Sequence, residues 1–197
     1  MINLQKRNLN QARILQAARQ ITNESGSDAL TFSKIAAILG VRSQALYAYF
    51  PNAQQLKFAL IIDYLDSLTQ TLNAALVGVS GKEALYIYGD QLHTLLLAQP
   101  NLTKLAFGGI SYDQEHEAGQ HLHQLILVLD RLIAPYCTSE AEVVAQARYF
   151  RAIIFGYVQN QLWGLFQLAT VPVADSFEDS LCQAITSITE KGSIKHG

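Results

Sequence analysis

The chain has 197 residues, half of them hydrophobic and only 15% charged, with a formal net charge of −2. That length buries a core without disulfides or metals, and its two cysteines, Cys137 and Cys182, stand far apart in no motif, which excludes a disulfide framework and a cysteine-built zinc site. A charge content below the usual quarter of residues points to more apolar surface than one monomer hides, so a large subunit interface or an apolar cavity is expected.

The net charge conceals a division. Residues 1–62 carry seven basic side chains against two acidic ones, a net +5, which leaves −7 for the rest of the chain. A basic first third on an acidic body suggests a polyanionic partner for the N-terminal part alone. The opening "MINLQKRNLNQAR" lacks the apolar run of a signal peptide, and reduced cysteines suit a cytoplasmic protein.

Taken in order, the predicted elements are all helical. Apolar residues return at spacings of three and four at Ile14, Ala17, Ala18 and Ile21, then at Leu85, Tyr88, Leu92 and Leu96, then at Leu122, Leu125, Ile126, Leu129 and Ile133. Start signals are Asn52 before Gln55, Ser80 before Glu83, Ser139 before Glu142 and Asp175 before Glu178, each an acceptor for free N–H groups with a partner three residues on. Stops fall at Gly26, Gly40, the 77–81 "VGVSG", Pro100, the 108–109 "GG", Pro135 and Pro172. About nine helices follow, with no alternating run and no hairpin turn. The expected fold is all-α: a three-helix head, residues 1–51, and a helical body, residues 52–197, joined through a helix starting near Asn52.

Residues 152–174, "AIIFGYVQNQLWGLFQLATVPVA", hold no charge and are long enough to cross a bilayer. Four amides at Gln159, Asn160, Gln161 and Gln167 oppose that, since each would need a partner in lipid. A helix buried on nearly all sides, partly by another subunit, is expected instead, and no membrane partner.

Residues 32–50, "FSKIAAILGVRSQALYAYF", carry the pattern of a helix-turn-helix. Ala36 is small where the second helix must approach, and Gly40 takes the left-handed conformation that ends the first helix. Leu46 and Phe50 point inward toward Ile35 and Leu39. Arg42, Ser43, Gln44, Ala45, Tyr47, Ala48 and Tyr49 remain for the outer faces. A recognition helix places such residues against base edges: Arg42 and Gln44 can pair with guanine or adenine, Ala45 can touch a thymine methyl, and the hydroxyls of Tyr47 and Tyr49 can reach phosphates. The alternative for both tyrosines is half-buried packing.

Together "ILQAA", "GSDALTFSKIAAILGV", "LYAYF" and "PNAQQL" make roughly residues 13–60 resemble the DNA-binding region of the TetR family of transcriptional regulators. The resemblance implies a homodimeric repressor whose three N-terminal helices bind a double-stranded DNA operator and whose helical body binds a small-molecule effector that releases it. It implies DNA contacts from Thr31, Ser33, Lys34, Arg42, Ser43, Gln44, Ala45, Tyr47, Tyr49 and Lys57. Two positions depart from the family pattern: Ala53 replaces the usual phosphate-gripping lysine, and Tyr49 stands where many members have histidine. The grip passes to Lys57, Lys34, the helix start at Asn52, or the arm with Lys6 and Arg7.

In the body, His93, Phe107, Tyr112, Gln159 and Trp163 are the candidate fixtures of an effector pocket, an apolar or aromatic ligand fitting the low charge. The dimer is expected on helices near 140–168 and 175–190, with Gly156 and Gly164 allowing close packing. Asp113, Glu115, His116, Glu117, His121 and His123 gather possible ligands, but their histidine gaps of five and two do not suit a metal on a helix, and an exposed helix start is expected. No cofactor, no metal and no catalytic motif are read: G-x-S-x-G, H-E-x-x-H and a phosphate loop are all missing from the sequence. A helical partner-binding protein and a transcriptional activator of the same fold remain open.

Overall fold

Helix α1, Gln11–Ser25, starts where Asn10 accepts the Arg13 N–H at 2.9 Å, and ends where the Gly26 N–H returns to the Thr22 carbonyl. The structure, a computed structural model, describes residues 9–108, 111–112, 116–168 and 170–194. Among them are seven further α-helices: α2 Phe32–Leu39, α3 Ala53–Ala75, α4 Gly81–Ala98, α5 Pro100–Gly108, α6 His116–Ile133, α7 Glu140–Leu162 and α8 Val173–Ile194. Short 3-10 segments at Ser27–Ala29, Ser43–Ala48 and Ala134–Tyr136 complete the described elements, which include no strand. The fold is thus all-α, and the 3-10 segment after α2 brings the longer helical elements to about the number expected.

The chain divides into two compact units. One is Met1–Ser67 with Gln99–His121; the other is Leu68–Ala98 with Leu122–Gly197. Helix α3 begins in the first and finishes in the second, and α6 does the same.

In the first unit, α1 contributes the buried stripe Ile14, Ala17, Ala18 and Ile21, the three-and-four spacing read from the sequence. It packs on α2 and α5. Arg19 leaves this stripe half-buried, donating to Asp63 of α3 at 2.6 Å and to Gln99 at 3.0 Å. Its guanidinium lies 5.9 Å from the centre of the Tyr64 ring. Tyr64 is fully buried, and its hydroxyl shares a 2.8 Å hydrogen bond with Thr103. Burial therefore raises the phenol above its ordinary value, while Thr103 and Arg19 pull it back.

In the second unit, α4 packs on both α7 and α8, and α7 on α8. Leu85, Tyr88, Leu92 and Leu96 form the inward stripe of α4, opposite Phe150, Ile154 and Val158 of α7 and Leu181, Ala184 and Ile188 of α8. Tyr88 and Phe150 meet with centroids 6.3 Å apart. Burial drives the Tyr88 phenol far up, with Arg151 lowering it and Asp130 raising it.

Three expectations about the last helices are corrected. The uncharged stretch is not one buried helix: α7 ends at Leu162, and Trp163, Leu165, Phe166 and Leu168 are exposed. Gly164 is the cause. It sits at φ +66°, with its N–H on the Gln161 carbonyl and the Leu165 N–H on that of Asn160. These two bonds close the end of a helix around a left-handed residue. Gly164 is therefore a stop, beyond the end of the helix near 140–168 in which it was expected. Asp175 does not open α8, which begins two residues earlier at Val173 and places Asp175 inside its first turn. No helix among the described residues is long and apolar enough to cross a membrane.

Candidate nucleic-acid interface

The local sequence builds the helix-turn-helix at every step. Thr31, in extended conformation, accepts the Lys34 N–H at 3.3 Å and starts α2. Gly40 ends it at φ 65°, ψ 32°, with the Gly40 N–H on the Ala37 carbonyl and the Val41 N–H on that of Ala36. That conformation costs a glycine nothing and any other residue about 1 kcal/mol or more. Ile35, Ala36, Leu46 and Phe50 are buried, and Leu39 is half-buried.

The second element differs in kind from the expected α-helix. Ser43–Ala48 is a 3-10 segment, with the Ala45 N–H on the Arg42 carbonyl and the Tyr49 N–H on that of Leu46, both at 2.9 Å. It is six residues long, beyond the three or four usual for the tighter helix, and the burial of Leu46 and Phe50 at its inner side holds it.

The residues read as DNA-contacting lie together on this head. Thr31, Ser33 and Lys34 are exposed at the start of α2, and Arg42, Gln44 and Tyr47 are exposed on the turn and 3-10 segment. Ser43, Ala45, Tyr49 and Lys57 are half-buried. Tyr47, 55% exposed, still meets Phe32 edge to face at 4.7 Å. Tyr49 is committed differently from expectation. Its hydroxyl donates to the Leu9 carbonyl at 2.7 Å, tying the residues before α1 to the 3-10 segment. Only long-range packing brings those two positions together, so nothing local in the sequence signals the bond. Ala53 is exposed at the start of α3, behind Asn52, whose Oδ1 accepts the Gln55 N–H at 2.9 Å. Lys57, one turn further, borders a cleft of about 500 Å³ with Lys104, Asp28 and Asn101. Lys6 and Arg7 lie outside the described residues.

The five body candidates are divided between the two units. His93, Gln159 and Trp163 belong to the second unit, Phe107 and Tyr112 to the first. His93, 9% exposed, bonds through Nε2 to Gln161 Oε1 at 2.7 Å and stacks on Phe177 at 3.8 Å. Gln161 and Phe177 are partners of His93 that the sequence reading did not name. Gln159 is exposed, and so is Trp163, at 66%. The Tyr112 hydroxyl donates to the Ala106 carbonyl at 2.8 Å, and burial pushes its pKa up to about 12. Phe107 is half-buried at the end of α5.

Of the acidic and histidine-rich stretch, Asp113 and Glu115 lie outside the described residues, and no group of three or more possible metal ligands occurs among those described. His121 contacts Asp66 instead, Nδ1 to Oδ1, at 2.6 Å.

Residues 14–60 match the family model for bacterial regulatory proteins, tetR family. No curated protein matches the sequence significantly. Solved structures share the fold over nearly the whole chain. A TetR variant from Acinetobacter baumannii AYE, in complex with minocycline, is 21% identical with a TM-score of 0.69, over 93% of this chain and 98% of that one. The transcriptional regulator FadR from Bacillus subtilis, in complex with stearoyl-CoA, is 19% identical with a TM-score of 0.72, over 90% of this chain and 98% of that one. A TetR transcriptional regulator from Streptomyces coelicolor is 17% identical with a TM-score of 0.71, over 92% and 98%. At these identities the likeness is one of fold. Residues 14–60 thus match the model of the tetR family of bacterial regulatory proteins, and the chain as a whole shares the all-helical fold of solved TetR regulators.

Proposed function

We propose that this protein is a homodimeric transcriptional repressor that binds operator DNA through its helix-turn-helix and leaves it when a small molecule binds the body. The observation that carries the DNA-binding part is the head itself. Leu46 and Phe50 anchor the 3-10 segment from below, while Arg42, Gln44 and Tyr47 stay exposed beside Thr31, Ser33 and Lys34. Arg42 and Gln44 have the donors and acceptors for base edges, and the remaining groups suit phosphates.

A dimer is supported by the outer side of α7, where Ala145, Tyr149, Ala152 and Gln159 are exposed and Gly156 is half-buried at helical spacing. Small residues flanking one exposed tyrosine suit helix-on-helix packing about a two-fold axis. Two heads then meet half-sites about one turn of DNA apart or a multiple of it. A ligand favouring another spacing lowers affinity by its differential binding to the two states, typically about 1–3 kcal/mol. The minocycline and stearoyl-CoA complexes of the two relatives support an effector for this body.

The test is a fluorescence-anisotropy titration of the purified protein with DNA from upstream of its own gene, against unrelated competitor, at two salt concentrations. Competitor-resistant binding that weakens steeply with salt is expected. Binding that is equal on both DNAs and insensitive to salt overturns the operator-reading function.

A further inference from the structure

Between α4 and α8, within the second unit, lies a cleft of about 370 Å³. That volume suits a small molecule, and the lining has a definite chemistry. Its wall is aromatic: the His93 ring lies nearly parallel to Phe177, 17° between planes at 3.8 Å, and Gln161 fixes it through Nε2. Leu97 and Leu181 add apolar surface. Two carboxylates share the lining, Asp90 from α4 and Glu178 from α8. The Tyr86 hydroxyl donates to Glu178 at 3.3 Å.

These carboxylates are not neutralised from within. No lysine or arginine is among the described residues that line the cleft, and neither Asp90 nor Glu178 has an ion-pair partner among the described residues. Lys82, on the same α4, turns to Glu190, and Arg151 turns to Asp130. Asp90 and Glu178 both act on the Tyr86 phenol, which is held above its ordinary value by burial first, then by Glu178 and by Asp90. Two like charges bordering one partly enclosed space favour a positive guest between them.

We propose that this cleft binds a small aromatic cation, an ammonium or amidinium bearing one ring, with its charge between Asp90 and Glu178 and its ring against the His93–Phe177 wall. Carboxylates supply charge-assisted hydrogen bonds, and the aromatic and leucine surfaces take the ring. The assignment gives the effector of the proposed repressor a chemical class; only its consequence for DNA rests on that reading.

The experiment is calorimetric titration of the full-length protein with three probes of one shape: benzamidinium, benzamide and benzoate. Benzamidinium is expected to bind at least about tenfold more tightly than benzamide, and benzoate not at all. Asp90→Asn and Glu178→Gln should each weaken benzamidinium about three- to tenfold and leave benzamide unchanged. Glu140→Gln on α7 should alter neither. Glu178 is exposed and Asp90 half-buried, so both amide variants should retain the wild-type circular dichroism. Should either not, added salt provides the second readout in the wild type, weakening benzamidinium but not benzamide. Equal binding of the three probes, or benzamidinium binding indifferent to both substitutions and to salt, overturns the proposal. Anisotropy with operator DNA then separates the two ideas: benzamidinium that binds with full dependence on Asp90 and Glu178 yet leaves DNA affinity unchanged supports the site and removes its role in release.

Discussion

Arg19 of α1 donates to Asp63 of α3 at 2.6 Å, and its other terminal nitrogen donates to Gln99 at 3.0 Å. One side chain thus joins three parts of the first unit, which a lysine, with a single point of charge, cannot do in the same geometry. Arg19→Met should lower stability by about 1–2 kcal/mol, less than a fully buried pair because Asp63 is partly exposed. Arg19→Lys should recover less than half of that. Chemical denaturation of the three proteins gives the measurement, and equal midpoints for all three would show that α1 is held by its apolar stripe alone.

Gly40 stands at φ 65° with open bonds to two carbonyls of α2. Gly40→Ala keeps these bonds but adds a Cβ in the left-handed region. A loss of about 1 kcal/mol is expected. The thermal transition should fall while spectra at low temperature stay those of the folded protein. No change in the transition would mean that the backbone at this turn relaxes to another conformation.

Tyr47 separates packing from DNA contact, because it is both exposed and edge-on to Phe32. Tyr47→Phe should leave the thermal transition unchanged and weaken operator binding, through loss of one phosphate hydrogen bond, by about five- to tenfold. Tyr47→Ala should lower both. Sedimentation of each variant should show an unchanged assembly state; dissociation would assign Tyr47 to the body of the fold rather than to DNA.

Tyr112 predicts an alkaline weakness. Its phenol pKa is raised from 10.0 to about 12 by burial. Below pH 10 both folded and unfolded states keep the proton, so the stabilisation is complete. Between about pH 10 and 12 the unfolded state gives up a proton that the folded state retains, and stability falls as the pH rises, by less than the full slope of about 1.4 kcal/mol per pH unit because the phenol is only partly covered. Tyr64 and Tyr88, also raised by burial, add to the decline. Denaturation midpoints measured across this window should fall less steeply for Tyr112→Phe than for the wild type. Equal slopes would show that Tyr112 titrates as a free phenol.

The sequence by itself determined what depends on neighbours within about a turn of helix. Asn52 and Ser139 accept the N–H groups three residues on, Gly40 closes α2, and Ile14 to Ile21 fall on one buried stripe. Such features need only local hydrogen-bond geometry and helical period. The tertiary structure decided the rest. Tyr49 finds Leu9 forty residues away, His93 finds Gln161 and Phe177 on two other helices, and Asp90 and Glu178 come to line one cleft although no spacing links them. The low charge of residues 152–174 looked like burial, yet Gly164 ends the helix and leaves Trp163 exposed. Composition records how much apolar surface there is; which of it is covered depends on where the chain turns, and one glycine at positive φ redirects all that follows.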